Sequence, residues 1–530
     1  KKKKKFLNLL KNYLINLKKF FLFESFLVLA LGSLSSLSLP PLNFFFINFF
    51  TLSFFFSFLF KKLIQQKTIK FFFYFGWLFG FGYFLTNLYW ITISLSFDVS
   101  YSYLIPVTLF LLPALLALFY GAVTSLFFWF NPKNILSAFF SFSLIFGSIE
   151  FIRGIILTGF PWNLFVYSFS ENLNFISIIS VIGTYSLNLI VISFFTLPAL
   201  YILRKTNKEM LVCIFFLILP ILFFTHGNFQ KKEFLGNVEK ENPYLIRIIA
   251  SNISLERYYK SAQTEKVLDE LIKVSSPEKK RNTLFIWPEG IIPDTYQDEL
   301  NLYKDIIIRS FDENHLIGLG ITRREIRNNK YNYYNSFSLF DNNLNLISKY
   351  DKIKLVPFGE FLPIENILNK IGLKTITRNI GSFTSGEERK ILKIQKDEKE
   401  LKFLPLICYE IIYSGSLTNS SEFDFILNIS EDGWFGKSIG PKQHFSHSIF
   451  RAIENGKYVL RSSNNGMAAI INPLGQIEKK IDYGISSYID FEKRKDFGKT
   501  VFSTYGNKIF MILILLYIFL AISFNRSSDE

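Results

Sequence analysis

The chain has 530 residues, half of them hydrophobic, and carries a formal net charge of +16 from 59 Lys and Arg against 43 Asp and Glu. Its apolar residues gather in long runs, which excludes a purely soluble chain. Much of the basic excess lies in the connections between those runs, which argues against DNA or RNA as a partner. Of the two cysteines, Cys213 sits inside an apolar run and Cys408 outside all of them, so no internal disulfide is expected.

Taken in chain order, seven runs come first: Phe20–Leu39, Phe44–Phe60, Phe71–Leu95, Tyr103–Phe130, Ile135–Leu157, Phe175–Leu203 and Met210–Phe224. An eighth, Ile509–Phe524, lies near the end. Most approach or exceed the ~20 residues that cross a ~30 Å hydrocarbon layer; those starting at Met210 and Ile509 are shorter. Basic residues mark alternate connections. Lys1 to Lys5, Lys11, Lys18 and Lys19 precede the first run, and Lys61, Lys62, Lys67 and Lys70 follow the second. Lys133 follows the fourth, and Arg204, Lys205 and Lys208 follow the sixth. The connections near Pro40–Asn43, Asp98–Ser102 and Gly159–Asn174 hold no Lys or Arg. The positive-inside rule then predicts two cytoplasmic termini, with the segment between the seventh and eighth spans on the far side. Lys1–Leu39 also has the basic start of a cleaved signal peptide, but the further spans make cleavage unnecessary. Glu24, Glu150 and Arg153 interrupt the runs. Glu150 and Arg153, three apart, share a helix face and read either as a structural ion pair or as a polar patch beside a lipid headgroup.

From His226 to Lys508 the composition turns polar and charged. Period-two apolar patterns predict strands at Tyr244–Ile253, Thr283–Trp287, Leu316–Arg323, Tyr333–Asp341, Asn345–Tyr350, Lys402–Cys408 and Asp424–Ile429. Helices are expected at Ala262–Val274 and at Pro441–Gly456, which opens on Pro and closes on Gly. This alternation predicts an α/β domain with buried sheets. The expected organisation is a membrane bundle at 1–225, an α/β domain at 226–508, and a last span with its tail at 509–530.

Three segments end an apolar strand with a polar group: Ile286-Trp287-Pro288-Glu289-Gly290, the run from Tyr350 to Glu360, and Leu406-Ile407-Cys408-Tyr409-Glu410. Together they supply a carboxylate, an ammonium and a thiol. A free thiol, with pKa near ~8.5, needs a base or a cation to become a nucleophile at neutral pH. A shielded carboxylate can be that base, and a lysine can stabilise the oxyanion formed on a carbonyl. Cys213, among Leu, Val and Phe, is expected to be inert core. His444 and His447, three apart on the expected helix, could hold a metal with a third ligand or pair with a cysteine; polar decoration of a helix surface is the reading we favour.

These segments resemble the Glu–Lys–Cys triad of the nitrilase (carbon–nitrogen hydrolase) superfamily. The chain as a whole is more closely similar to the apolipoprotein N-acyltransferase family, which couples such a domain to an eight-span bundle. The similar segments are Phe160-Pro161-Trp162, Trp287-Pro288-Glu289, the run from Lys354 to Glu360, Ile407–Glu410, Gly433-Trp434-Phe435-Gly436 and Gly440-Pro441-Lys442-Gln443-His444. Arg451, Glu454, Asn455, Gly456 and Arg461 also fit. The resemblance implies a multi-span α-helical bundle plus an α-β-β-α sandwich. It casts Cys408 as nucleophile, Glu289 as general base and Lys352 as transition-state stabiliser. It also implies that Glu360 holds or polarises the triad while Tyr409, Glu410 and Trp434 shape an acyl pocket. The implied reaction moves an acyl chain from a membrane phospholipid, through a thioester, to the amine of a diacylated apolipoprotein, with no cofactor and no metal. A monomer in a bacterial inner membrane is expected, with Glu365–Gly381 one candidate for a mobile arm. Two runner-up readings are a membrane-tethered amidase or nitrilase that passes its thioester to water, and a non-catalytic scaffold. Two positions depart from the family pattern: Glu431 stands where Asn is expected, and Gly290 follows Glu289 where alanine or a small polar residue is common.

Overall fold

Long apolar segments must satisfy their backbone internally in lipid, and they do so as helices. In a computed structural model the described residues are 2–526, apart from 259–263, 293, 328, 364, 366–381, 416 and 418–421, with side chains described from residue 19. The candidate arm therefore lies outside them except for Glu365. Among the described residues, eight helices are long and apolar enough to span a membrane. Seven precede the soluble region: α1 (Lys2–Ser35), α2 (Ile47–Ile64), α3 (Ile69–Leu88), α4 (Ile105–Phe130), α5 (Ile135–Arg153), α6 (Ile179–Ile202) and α7 (Asn207–Gly236).

The helix ends refine the expected runs. Helix α5 stops at Arg153, not Leu157, because Leu157 and Thr158 take left-handed backbone and the Phe160 amide turns back to the Arg153 carbonyl at 2.9 Å. The Glu150–Arg153 pair is fully buried; Tyr120 donates to Glu150 at 2.6 Å and Arg153 donates to the Phe160 carbonyl. It is an internal ion pair that fixes the loop after α5, with no face open to headgroups. Helix α7 begins at a capping box, Thr206 with Glu209, and runs past the apolar stretch to Gly236. Its polar end stays helical because Gln230 donates to Ser180 at 2.8 Å and Phe234 packs on Tyr458 and Phe497.

Helix α7 feeds directly into the sheet region. The strands among the described residues are β1 (Glu239–Ser251), β2 (Thr283–Ile286), β3 (His315–Arg327), β4 (Lys330–Asp341), β5 (Leu346–Asp351) and β6 (Leu392–Lys396). They continue with β7 (Lys399–Ile407), β8 (Phe425–Glu431), β9 (Tyr458–Asn464), β10 (Ala468–Ile471), β11 (Ile477–Ile481) and β12 (Ser487–Lys495). Helices α8 (Thr264–Ser275) and α9 (Lys304–Ser310) lie early, α10 (Gly440–Asn455) follows β8, and α11 (Lys508–Arg526) is the eighth span. The expected strands are all present, but β6 and β9 to β12 are additional.

The strands form one hydrogen-bonded path, β5-β4-β3-β2-β1-β9-β8-β7-β6, with β12 on β1 and with β10 then β11 beside β9. Only two residue pairs join β1 to β9, so the sheet folds there into two leaves packed face to face. Phe337 of β4 meets Phe403 of β7 edge-on at 6.0 Å across the interior. Side chains alternate as a two-residue period demands: Leu284 and Ile286 enter the core between the leaves, while Phe285 and Trp287 pack outward with Leu268 and Leu271 of α8. On the other outer face, Phe450 and Ile453 of α10 join Ile426 and Val459 in a cluster continuous with the membrane bundle. The layers run helix, sheet, sheet, helix, and the last helix is also the contact with the bundle.

Candidate active site

β1, β2 and β3 are mutually parallel, as are β7, β8 and β9, and their carboxyl ends meet at one edge, where α/β folds hold ligands. Glu289 lies just beyond β2, Lys352 follows β5, and Cys408 follows β7 directly. Gly320 of β3 makes room for the first of these: a Cβ there would stand 2.4 Å from the Glu289 Cα and 2.8 Å from the Gly290 nitrogen. The main chain at Glu289 thus lies on the bare backbone of β3.

The charged centre is closely tied. Lys352 Nζ donates to Glu289 Oε1 at 3.1 Å and to Glu360 Oε1 at 2.9 Å. All three groups are buried, which a lone ammonium would not tolerate. Burial would push the Lys352 ammonium down, but Glu289, Glu360 and the Cys408 thiol outweigh it and hold it well up, so it stays charged. Asn335 of β4, which sequence reasoning missed, donates from Nδ2 to both carboxylates, at 2.7 Å each. Glu360 Oε2 accepts from the Val356 amide at 2.8 Å, so its own loop clamps it.

Cys408 lies close enough to this group for Glu289 and Lys352 to act on its thiol. Its φ of 49° puts a non-glycine residue in the left-handed region, at the turn from strand to a short 3-10 helix. Such backbone is costly and concentrates at functional sites. Burial pushes the thiol well up and Glu289 adds to the effect, while Lys352 and the Ser430 hydroxyl pull it back. A network behind Cys408 holds the turn. His444 Nε2 lies 3.3 Å from the Cys408 carbonyl, and His444 Nδ1 lies 3.0 Å from Asp432, which pairs with Arg461 at 2.7 Å. Burial works against the Asp432 carboxylate, yet Arg461 and His444 hold it well below the usual range.

This corrects the expectation that His444 and His447 decorate a helix surface. Both are fully buried, because α10 is sandwiched between sheet and bundle and has no solvent face. His444 stacks on Trp162 at 5.4 Å, and His447 packs on Tyr167 at 4.4 Å. Burial pushes both rings down, His447 further. Among the described residues no group of three or more His, Cys, Asp or Glu is arranged to hold a metal ion. Cys213 is buried on α7, remote from this network in the bundle core.

The supporting residues divide by location. Tyr409 donates its hydroxyl to the Gly159 carbonyl at 2.9 Å and lies near-parallel to the rings of Phe160 and Trp162, with centroids 6.5 Å away. The residue after the cysteine is thus bonded to the loop that leaves α5. Trp434 rests between Tyr258 at 5.6 Å and Phe97 of the bundle at 6.0 Å. Glu410 is fully buried; it accepts from the amides of Ile353 and Ile407 at 2.9 Å and of Lys354 at 3.1 Å, and pairs with Arg389 at 2.7 Å. It joins the strand end carrying Cys408 to the loop carrying Lys352. Glu431, the departure, is engaged: its carboxylate pairs with Arg257 at 2.5 Å and its amide donates to Glu289 Oε2 at 3.0 Å.

Residues 31–197 match the family model of the apolipoprotein N-acyltransferase N-terminal domain, and residues 257–489 match that of carbon-nitrogen hydrolase. An apolipoprotein N-acyltransferase from Rickettsia prowazekii is 34% identical over 86% of this chain and 90% of its own. One from Rhodopseudomonas palustris is 31% identical over 84% and 85%, and one from Agrobacterium fabrum 29% identical over 95% and 97%. Among solved structures, an amidase from Nesterenkonia sp. aligns at 9% identity with a TM-score of 0.33, covering 52% of this chain and 98% of its own. The chain is a membrane protein with a nitrilase-type sheet domain, and it belongs to the apolipoprotein N-acyltransferase family.

Proposed function

We propose that this acyltransferase moves an acyl chain from a membrane phospholipid to the N-terminal amine of a diacylglyceryl-cysteine apolipoprotein, in two steps through a thioester on Cys408. In the first, Glu289 takes the thiol proton and Sγ attacks the ester carbonyl. Lys352 faces the oxyanion, the ester C–O bond breaks, and lysophospholipid leaves with the proton from Glu289. In the second, the amine attacks the thioester carbonyl, the C–S bond breaks, and Glu289 passes the amine's proton to the leaving sulfur.

The observation that carries this reading is the joint between the triad and the bundle. Tyr409, next to Cys408, is hydrogen-bonded to the α5 loop, and Phe160 and Trp162 of that loop lie against its ring. A nucleophile built into a membrane-side aromatic cluster suits an acyl chain delivered from lipid, and it shields a thioester from water. In this reading Glu360 holds Lys352, Tyr409 and Trp434 wall the acyl site, and Glu410 positions the Cys408 turn. Residues 1–225 and 509–530 anchor the catalytic domain, 226–508, on the extracytoplasmic side of a bacterial inner membrane. Both termini are cytoplasmic, and the protein acts as a monomer without a cofactor.

The acceptor decides the reading. Purified protein given phospholipid and a diacylglyceryl-cysteine peptide should yield the N-acylated peptide and lysophospholipid in equal amounts. Release of free fatty acid with no acylated peptide would support the hydrolase reading instead.

A further inference from the structure

Glu289 is held from two sides. Lys352 and Asn335 bind Oε1, and the main-chain N–H of Glu431 binds Oε2 at 3.0 Å. What fixes that N–H is an ion pair outside the triad. Glu431 closes β8, and its carboxylate is 1% exposed. Oε2 accepts from Arg257 at 2.5 Å and from Asn464 at 2.6 Å, and Oε1 accepts from the Gly433 amide at 2.9 Å. Arg257, also buried, donates to the Ser254 carbonyl at 3.0 Å and to the Tyr258 hydroxyl at 3.1 Å as well. The Tyr258 hydroxyl in turn donates to the Gly290 carbonyl, the peptide unit after Glu289. One guanidinium therefore reaches both strand ends that bracket the base. On one side it fixes the amide that holds Oε2, and on the other the carbonyl that follows Glu289.

We propose that Arg257 and Glu431 are positioning residues for the general base, and that the pair sets where Glu289 Oε2 sits relative to the Cys408 thiol. This rests on the thioester reading above. A shorter neutral residue at 431 would leave the buried guanidinium without its charged partner. Two residues that act through one amide are coupled, so removing both should cost about as much as removing either. That coupling is the test.

Full-length protein in detergent would be given a fluorescent phospholipid, and the single-turnover rate of acyl-enzyme formation measured against lipid concentration. Arg257→Leu and Glu431→Asn should each lower the saturating rate about 100-fold, the loss expected for roughly 1 Å of misplacement, with the half-saturating lipid concentration unchanged. The Arg257→Leu/Glu431→Asn double variant should be about as slow as the worse single variant, because both residues act through the same amide. Arg257→Lys, which keeps the charge but not the fork, should lose about 10-fold and serves if a single variant does not fold. Single variants at the wild-type rate, Arg257→Lys at the wild-type rate, or a double variant that either regains the wild-type rate or loses the product of both single losses would each overturn the proposal. Wild-type protein that never forms an acyl-enzyme would instead overturn the thioester reading and this inference together.

Discussion

Replacing Gly320 with alanine tests how tightly the proposed base, Glu289, is held, without touching any ionisable group. The added Cβ would stand 2.4 Å from the Glu289 Cα, while ordinary contact begins near 3.4 Å. The β2 end must therefore move by about 1 Å, because the neighbouring atoms are backbone and have no rotamer to yield. A shift of that size at a reacting group costs about 100-fold in rate. Overpacking of this kind also costs about 1–3 kcal/mol of stability, so Gly320→Ala should melt earlier yet still fold. Gly236→Ala is the matched control, since a Cβ there meets nothing within 4 Å. Acyl-enzyme formation, followed by quenched-flow and mass spectrometry, should fall about 100-fold in Gly320→Ala and stay unchanged in Gly236→Ala. A Gly320→Ala protein that acylates at the wild-type rate would refute the claim that β3 fixes the base.

The charge environment gives two further expectations. Burial and Glu289 push the Cys408 thiol up, so its thiolate fraction in the free enzyme is below that of an ordinary cysteine at neutral pH. Alkylation of Cys408 by iodoacetamide should be slow at pH 7 and still climbing past pH 9, and Lys352→Met should slow it further; a plateau below pH 8 would contradict this. Asn335→Ala removes one amide that donates to both Glu289 and Glu360 at 2.7 Å. A hydrogen bond to a charged group contributes about 1.5–3 kcal/mol, so acylation should slow by roughly 10- to 150-fold while lipid affinity holds. Equal rates in Asn335→Ala and wild type would remove Asn335 from the site.

The membrane spans were legible because length and basic-residue placement act independently: runs near 20 residues and Lys or Arg at alternate connections both reflect the bilayer. The three polar strand ends were legible because each breaks an apolar run, although their convergence depends on the sheet path. Asn335 left a weaker signal. It is in phase with Phe337 and Leu339, which enter the core between the leaves, so a polar side chain there needs a partner inside. Strands β11 and β12 were hidden by charge, as in Ile477-Glu478-Lys479-Lys480-Ile481, where solvent takes almost the whole strand. His444 and His447 were misplaced because an amphipathic pattern was read as having a solvent face. Instead, the bundle covers that face of α10 through contacts such as Trp162 with Gln443 at 2.9 Å. The polar end of α7 was assigned to the α/β domain for a related reason: its partners, Ser180 and Tyr458, are distant in sequence.

The central claim is that the Cys408 sulfur carries the acyl chain. Intact-protein and peptide mass spectrometry after incubation with phospholipid, without acceptor, reads this directly. The account predicts one acyl group on the peptide containing Cys408, removed by neutral hydroxylamine, and absent in Cys408→Ser. An acyl adduct on any other residue, or one that persists in Cys408→Ser, would contradict it.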